Sequence, residues 1–74
     1  MSYSDKIKEL RLKNNLTQSN LANNIGVSRQ MINRYENGFN VPSLFYATKI
    51  SNYFNVDIYW LMNDENIADS KTTN

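Results

Sequence analysis

The sequence contains neither cysteine nor histidine. Without cysteine there is no disulfide and no thiolate metal site, and without histidine the commonest general base and metal ligand are missing. Glycine occurs twice and proline once, so the chain also has no glycine-rich phosphate loop. A chain of 74 residues leaves little room for a pocket inside its core. These absences argue against an enzyme, and no cofactor, metal or small-molecule ligand is expected.

Long apolar runs and strong charge are missing as well. No apolar run approaches the ~20 residues of a membrane span, and residues 1–10 are too polar for a secretory signal. The formal net charge is only +1, but residues 1–60 carry seven Lys and Arg against four Asp and Glu, whereas residues 61–74 carry three acids against Lys71. We expect a mildly basic folded domain over residues 1–62 and an acidic, disordered tail over residues 63–74.

What the sequence does contain is helical periodicity, from which we predict an all-α domain of five helices without a sheet. Each predicted helix opens at a side chain suited to capping it, namely Ser4, Thr17, Ser28, Ser43 and Asp57. The corresponding segments are residues 4–14, 17–25, 28–37, 43–54 and 57–62. The positions expected inside are Ile7, Leu10, Leu16, Leu21, Ala22, Ile25, Val27, Ile32, Tyr35, Leu44, Ala47, Ile50, Phe54, Val56, Ile58 and Leu61.

The second and third predicted helices are separated by a very short turn. Gly26 suits the left-handed position that ends the second helix, Ser28 caps the third, and only Val27 lies between them. Helices joined by so short a turn cannot continue one another, so they must cross at a steep angle as a helix-turn-helix.

The outer face of the third helix carries amides and forked donors instead of carboxylates. With Val27, Ile32 and Tyr35 pointing inward, the exposed positions are Arg29, Gln30, Asn33, Arg34 and Asn37. Arginine can fork onto guanine O6 and N7, Gln and Asn can pair with adenine N6 and N7, and an α-helix fits the DNA major groove. An ordinary solvated face is the alternative, and the steep turn favours DNA reading. Met31 is ambiguous between helix packing and contact with a thymine methyl.

The stretch "LTQSNLANNIGVSRQMINRYENG" resembles the helix-turn-helix of the lambda-repressor/Cro family, also called the Xre family. The similarity continues through "VPSLFYATKISNYFNVDIYWL" and covers roughly residues 5–62. It implies a five-helix fold and a homodimeric, sequence-specific regulator of transcription, in the first place a phage or bacterial repressor. Such a protein would bind a near-palindromic operator in double-stranded DNA and act in the cytoplasm, on the nucleoid.

The resemblance also implies a set of DNA contacts, made by Gln18, Ser28, Arg29, Gln30, Asn33, Arg34, Asn37, Phe39 and Asn40. Gln18, Asn37 and the loop at Phe39 and Asn40 would bind phosphate. Ser28, Arg29, Gln30 and Arg34 would face bases or the adjacent backbone, with Asn33 near the groove edge. In the family, an arginine of the first helix often pairs with the glutamate of the Glu-Asn-Gly motif. Here those residues are Arg11 and Glu36, and their pairing would explain the lone carboxylate of the third helix.

The sequence departs from the family pattern at Met31, where a small or hydroxylated residue is usual, and at positions 45 and 46, which are usually polar. One small core cannot hold every aromatic of the last two helices. We therefore expect a homodimer interface formed by Phe45, Tyr46, Tyr53, Tyr59 and Trp60. The alternative is that Tyr53 and Trp60 cap the monomer's own core. A helix-turn-helix module that binds protein instead of DNA is the competing function.

Overall fold

The computed structural model describes residues 1–63, which form five helices and no strand. The helices are α1 (Tyr3–Lys13), α2 (Gln18–Ile25), α3 (Arg29–Glu36), α4 (Leu44–Phe54) and α5 (Ile58–Met62). The predicted all-α architecture of five helices is therefore confirmed. No helix in this part of the chain is long and apolar enough to cross a membrane. Apart from Asn63, the predicted acidic tail lies outside the described residues.

Each helix begins at a side chain that accepts a hydrogen bond from the amide three residues later. These capping residues are Ser2, Thr17, Ser28, Ser43 and Asp57. The prediction of Ser4 as the first cap is wrong. Ser2 has Asp5 three residues on and forms a reciprocal capping box with it, whereas Ser4 has apolar Ile7 at that distance, which cannot bond back. The Ser4 hydroxyl instead lies 2.8 Å from the Ser2 hydroxyl.

The first four helices also end in the same way. A residue with positive φ follows each of them: Asn15, Gly26, Gly38 and Asn55. The residue after it, which we call the closing residue, donates its amide to the carbonyl five positions earlier. These bonds join Leu16 to Arg11 (3.1 Å), Val27 to Ala22 (3.1 Å), Phe39 to Arg34 (3.0 Å) and Val56 to Ser51 (2.9 Å). This is the Schellman pattern, which satisfies the last carbonyls of a helix.

The core lies where the five helices meet. Its fully buried members are Ile7, Leu21, Ala22, Ile25, Ile32, Tyr35, Ile50 and Leu61. One core prediction is wrong, because Leu44 is 78% exposed. Helical spacing does place Leu44 in line with Ala47 and Ile50, which are buried. As the first residue of α4, however, Leu44 extends beyond the edge of the core and lines a surface groove with Tyr59.

A buried lysine joins the two ends of the described chain. Lys6 is 2% exposed, and its Nζ donates to the carbonyl oxygens of Trp60 (2.5 Å) and Asn63 (2.9 Å). The same ammonium lies 4.8 Å from the centre of the Trp60 ring. Because these carbonyls belong to the C-terminal end of α5, the lysine caps that helix and ties it to α1.

Candidate nucleic-acid interface

The two faces of α3 divide as the sequence predicts. Ile32 is fully buried and Tyr35 is 4% exposed, and both pack against the core. The opposite face is exposed and consists of Arg29, Gln30, Asn33, Arg34 and Asn37, with the capping residue Ser28 at its start. Met31 is half-buried and packs against the core, which favours its packing role. The face itself is thus confirmed, while its contact with DNA stays a prediction.

The middle of this face offers donors that the rest of the described chain does not use. The side chains of Arg29 and Gln30 make no hydrogen bond or ion pair with another residue of the 1–63 segment. Together with Asn33 and Arg34 they line one open, polar depression on the surface. A solvent-exposed depression lined by two guanidinium groups and two amides favours an anionic, hydrogen-bonding partner.

At the C-terminal end of the face, the side chains of Arg34 and Asn37 are hydrogen-bonded within the protein. The Arg34 Nε donates to the Asn40 side-chain oxygen at 2.5 Å, and the guanidinium carbon lies 5.5 Å from the centre of the Phe39 ring. Asn37 donates its side-chain amide to the Asn33 carbonyl at 2.8 Å. These side chains stay exposed, except for half-buried Asn40, whose backbone carbonyl accepts from the Tyr3 hydroxyl at 2.9 Å.

The only carboxylate of α3 is turned inward. Glu36 is 8% exposed, and both of its oxygens accept from Arg11: Nε to Oε2 at 2.6 Å and Nη2 to Oε1 at 3.1 Å. The Arg11 Nη1 also donates to the Leu16 carbonyl at 2.8 Å. The predicted pair between the first helix and the end of the third is confirmed, and it is buried. Glu36 therefore adds no unpaired negative charge to the exposed face.

Gln18 lies beside this ion pair. Its side-chain nitrogen donates to Glu36 Oε1 at 3.1 Å, and the residue is half-buried at the start of α2. A glutamine amide nitrogen carries two hydrogens, so one N–H can bind Glu36 while the other points elsewhere. The structure thus orients Gln18 without using all of its donors.

Tyr35 sits on the buried side of α3. Burial raises the pKa of the Tyr35 hydroxyl, and the neighbouring Tyr46 raises it further. The phenol therefore stays uncharged at neutral pH and adds no negative charge beneath the exposed face.

The five aromatic residues predicted to form a dimer interface have separate surroundings. Phe45 and Tyr46 contact each other edge to face at 5.0 Å, with Tyr46 packed against the core. Tyr53 contacts Phe54 and accepts from the Asn24 side chain at 3.3 Å. Trp60 covers the Lys6 ammonium, while Tyr59 is 74% exposed beside the groove. Tyr53 and Trp60 therefore serve the monomer's own packing in part.

Comparison with known proteins gives a family match over most of the chain. A family model described as helix-turn-helix matches residues 7–61. An uncharacterized HTH-type transcriptional regulator of Bacillus subtilis, YgzD, is 40% identical over 60 residues, which cover 77% of this chain and 91% of that protein. The cryptic phage CTXphi transcriptional repressor RstR of Vibrio cholerae is 36% identical over 62 residues.

Some relatives are longer than this chain. It spans 56% of the length of RstR and 33% of the length of the HTH-type transcriptional activator BcrR of Enterococcus faecalis, which is 36% identical over 67 residues. Among solved structures, the P22 c2 repressor protein in complex with a synthetic operator matches with a TM-score of 0.81 at 21% identity, covering 85% of this chain and 96% of that one. This likeness supports the fold.

Proposed function

Because the chain belongs to the helix-turn-helix family of transcriptional regulators, we propose that it binds double-stranded DNA sequence-specifically by placing α3 in the major groove. Bound at an operator that overlaps a promoter, it would act as a repressor, as RstR is named. Its place of action would then be the bacterial cytoplasm, on phage or chromosomal DNA.

The observation that carries this proposal is the pairing of Glu36. An α3 face with a free carboxylate would repel phosphates, but Arg11 and Gln18 hold Glu36 inward. What remains on the exposed side of α3 is two arginines and neutral amides. Such a helix can enter a groove about 12 Å wide without bringing an unpaired negative charge near the backbone.

The exposed side chains divide by their expected partners. We assign base contacts to Arg29, Gln30 and Arg34, because their side chains carry the paired donors and acceptors that distinguish base edges. Gln18 at the start of α2 and Asn37 at the end of α3 are assigned to phosphates, which fix the register of the protein without reading sequence. The second N–H of Gln18 is suited to this, because Glu36 orients the amide through the first.

We also propose that the protein binds DNA as a homodimer through the surface of α4 and α5. One recognition helix covers only a few base pairs, whereas a two-fold dimer would place two α3 helices in successive major grooves ~34–36 Å apart. Support comes from the groove lined by Pro42, Leu44, Ala47, Ile58, Tyr59 and Met62. Two of its lining side chains, Leu44 and Tyr59, are apolar and exposed, and exposed apolar patches of this kind commonly mark interfaces.

DNA binding is tested by selecting bound duplexes from a random pool and then measuring Kd for the selected and a scrambled duplex at two salt concentrations. We expect the selected duplex to bind at least ~10³-fold more tightly, with affinity falling as salt rises because phosphate contacts release counterions. Arg29→Ala should lose ~1–3 kcal/mol of discrimination at one base position. Lys8→Ala, an exposed cation on α1, is the matched control and should leave discrimination unchanged.

The competing protein-interaction function makes the opposite prediction. Equal affinity for the selected and scrambled duplexes, or no binding at low salt, would contradict sequence-specific recognition. Such a result would favour a module that kept the fold and lost its DNA contacts.

The dimer is tested separately by measuring molecular mass across concentration with and without the selected duplex. We expect two copies per duplex, and Leu44→Gln should weaken the association. Leu12→Gln is the matched control, because Leu12 is 55% exposed on α1, away from the groove. A strict monomer on a single half-site would overturn the dimer while leaving the DNA proposal standing.

A further inference from the structure

Phe39 differs from the other three closing residues. Leu16, Val27 and Val56 are half-buried, as expected for a motif in which the closing residue packs against the helix that it ends. Phe39 makes the same backbone bond but is 70% exposed. The Phe39 ring therefore lies on the surface, beside the exposed face of α3.

The Schellman geometry explains what the ring contacts. In this motif the closing residue commonly contacts the side chain whose carbonyl it bonds or the side chain before it. At the other three helix ends the earlier of these two positions is apolar: Leu10, Leu21 and Ile50. For Phe39 both positions are polar, namely Asn33 and Arg34. The hydrophobic contact usual at a helix end is therefore replaced by a guanidinium 5.5 Å from an aromatic ring. The residue that closes α3, Phe39, therefore packs against the exposed side chain of Arg34.

Asn40 completes the support. Its side-chain oxygen accepts from the Arg34 Nε at 2.5 Å, so the guanidinium is held by a hydrogen bond at Nε and lies over the Phe39 ring. The backbone of Asn40 is itself held in place. Its N–H donates to the Arg34 backbone carbonyl at 3.4 Å, and its backbone carbonyl accepts from the Tyr3 hydroxyl. The two terminal nitrogens of Arg34 have no acceptor within residues 1–63.

We propose that Phe39 and Asn40 are positioning residues that hold Arg34 as a forked donor of two terminal nitrogens, ready for O6 and N7 of one guanine. The inference rests on the proposed DNA binding and deepens it, because it assigns Asn40 to Arg34 instead of to a phosphate. A free arginine loses rotamer freedom when it binds, and this cost is lower for a side chain that is already held. Arg34 is then the more selective of the two arginines on the face, because Arg29 has no such support.

Titrations with the selected duplex and its single-base variants test the proposal. Asn40→Ala should lower discrimination at the Arg34 base pair by about twofold to tenfold, the cost of ordering one side chain, and leave affinity for scrambled DNA unchanged. In the Arg34→Ala background, Asn40→Ala should have no further effect, because the two residues act as a unit. Phe39→Tyr should retain discrimination and Phe39→Leu should reduce it. Asn52→Ala, at an exposed asparagine of α4 that has no assigned DNA contact, is the matched control and should change neither affinity nor discrimination.

Two outcomes of these titrations would count against the support of Arg34 by Asn40. Equal weakening on every duplex, or effects of Asn40→Ala and Arg34→Ala that simply add, would show that Asn40 contacts phosphate and would overturn the proposal.

A measurement on the free protein separates this inference from the proposed function. By nitrogen-15 NMR, the Nε–H of Arg34 should exchange with water more slowly than that of Arg29, and Asn40→Ala should abolish the difference. Equal exchange of the two groups in the unaltered protein would refute the support whether or not DNA binds.

Discussion

Replacing Arg11 with methionine removes the cation from its buried ion pair with Glu36, the last residue of α3. Glu36 then loses two hydrogen bonds, at 2.6 and 3.1 Å, and keeps only the one from Gln18. The Leu16 carbonyl also loses its donor. The Arg11 and Glu36 side chains are only 10% and 3% exposed, so water cannot readily replace the arginine.

The burial decides the expected magnitude. An exposed pair would contribute ~1 kcal/mol or less, whereas leaving one partner of a buried pair alone costs ~3–5 kcal/mol. A domain of 74 residues has a total unfolding free energy of roughly 4–11 kcal/mol. We therefore expect Arg11→Met to remove a large part of the stability and to lower Tm by more than ~10 °C.

Urea unfolding followed by circular dichroism measures this cost. Lys13→Met is the matched control, since Lys13 is an exposed cation in the last turn of the same helix, and it should change stability by less than ~0.5 kcal/mol. The double variant Arg11→Met with Glu36→Leu should recover most of the loss, because neither charge is then buried alone. A loss near ~1 kcal/mol for Arg11→Met, or no recovery in the double variant, would refute the reasoning.

Three further predictions concern α3 and its ends. Ser28→Ala removes the cap that accepts the Met31 amide and should cost ~1 kcal/mol in urea unfolding; no change would mean that the cap is dispensable. Gly38→Ala should cost ~1–2 kcal/mol because φ is 76°, and Gly38→Asn should cost less; equal stabilities would contradict this. Tyr35 has a folded pKa above its ordinary 10.0, so its stabilising effect is complete below pH 10 and is lost as pH rises through the folded pKa. Relative to Tyr35→Phe, the unaltered protein should lose stability above pH 10, and parallel pH curves would argue against it.

Helix positions were predictable because their signals are local. Thr17, Ser28, Ser43 and Asp57 cap helices through amides three residues away, and Gly26 ends α2 through its own backbone angle. The error at Ser4 is of the same local kind, since the acidic partner at Asp5 points to Ser2. In a capping box the residue three positions after the cap bonds back to it, and Asp5 occupies that position for Ser2 but not for Ser4.

The remaining errors and omissions depend on tertiary structure. Leu44 fits the apolar spacing of α4, but only the packed structure shows that the core ends before it. The burial of Lys6 was not predicted, although its position directly before Ile7 and four residues before Leu10 places it beside the apolar stripe. The support of Arg34 by Asn40 depends on how the loop folds back on α3. The Arg11–Glu36 pair could be predicted from the family resemblance and not from spacing alone.

The shared endings of the first four helices have a consequence for how fast the protein folds. Each closing bond joins residues only five positions apart, and an all-helical domain with such local contacts is expected to fold within microseconds to milliseconds. The pairs that join distant parts of the chain, Arg11 with Glu36 and Lys6 with Trp60, require large loops to close first. We expect these pairs to form after the folding barrier, so breaking either one should speed unfolding and leave the folding rate nearly unchanged.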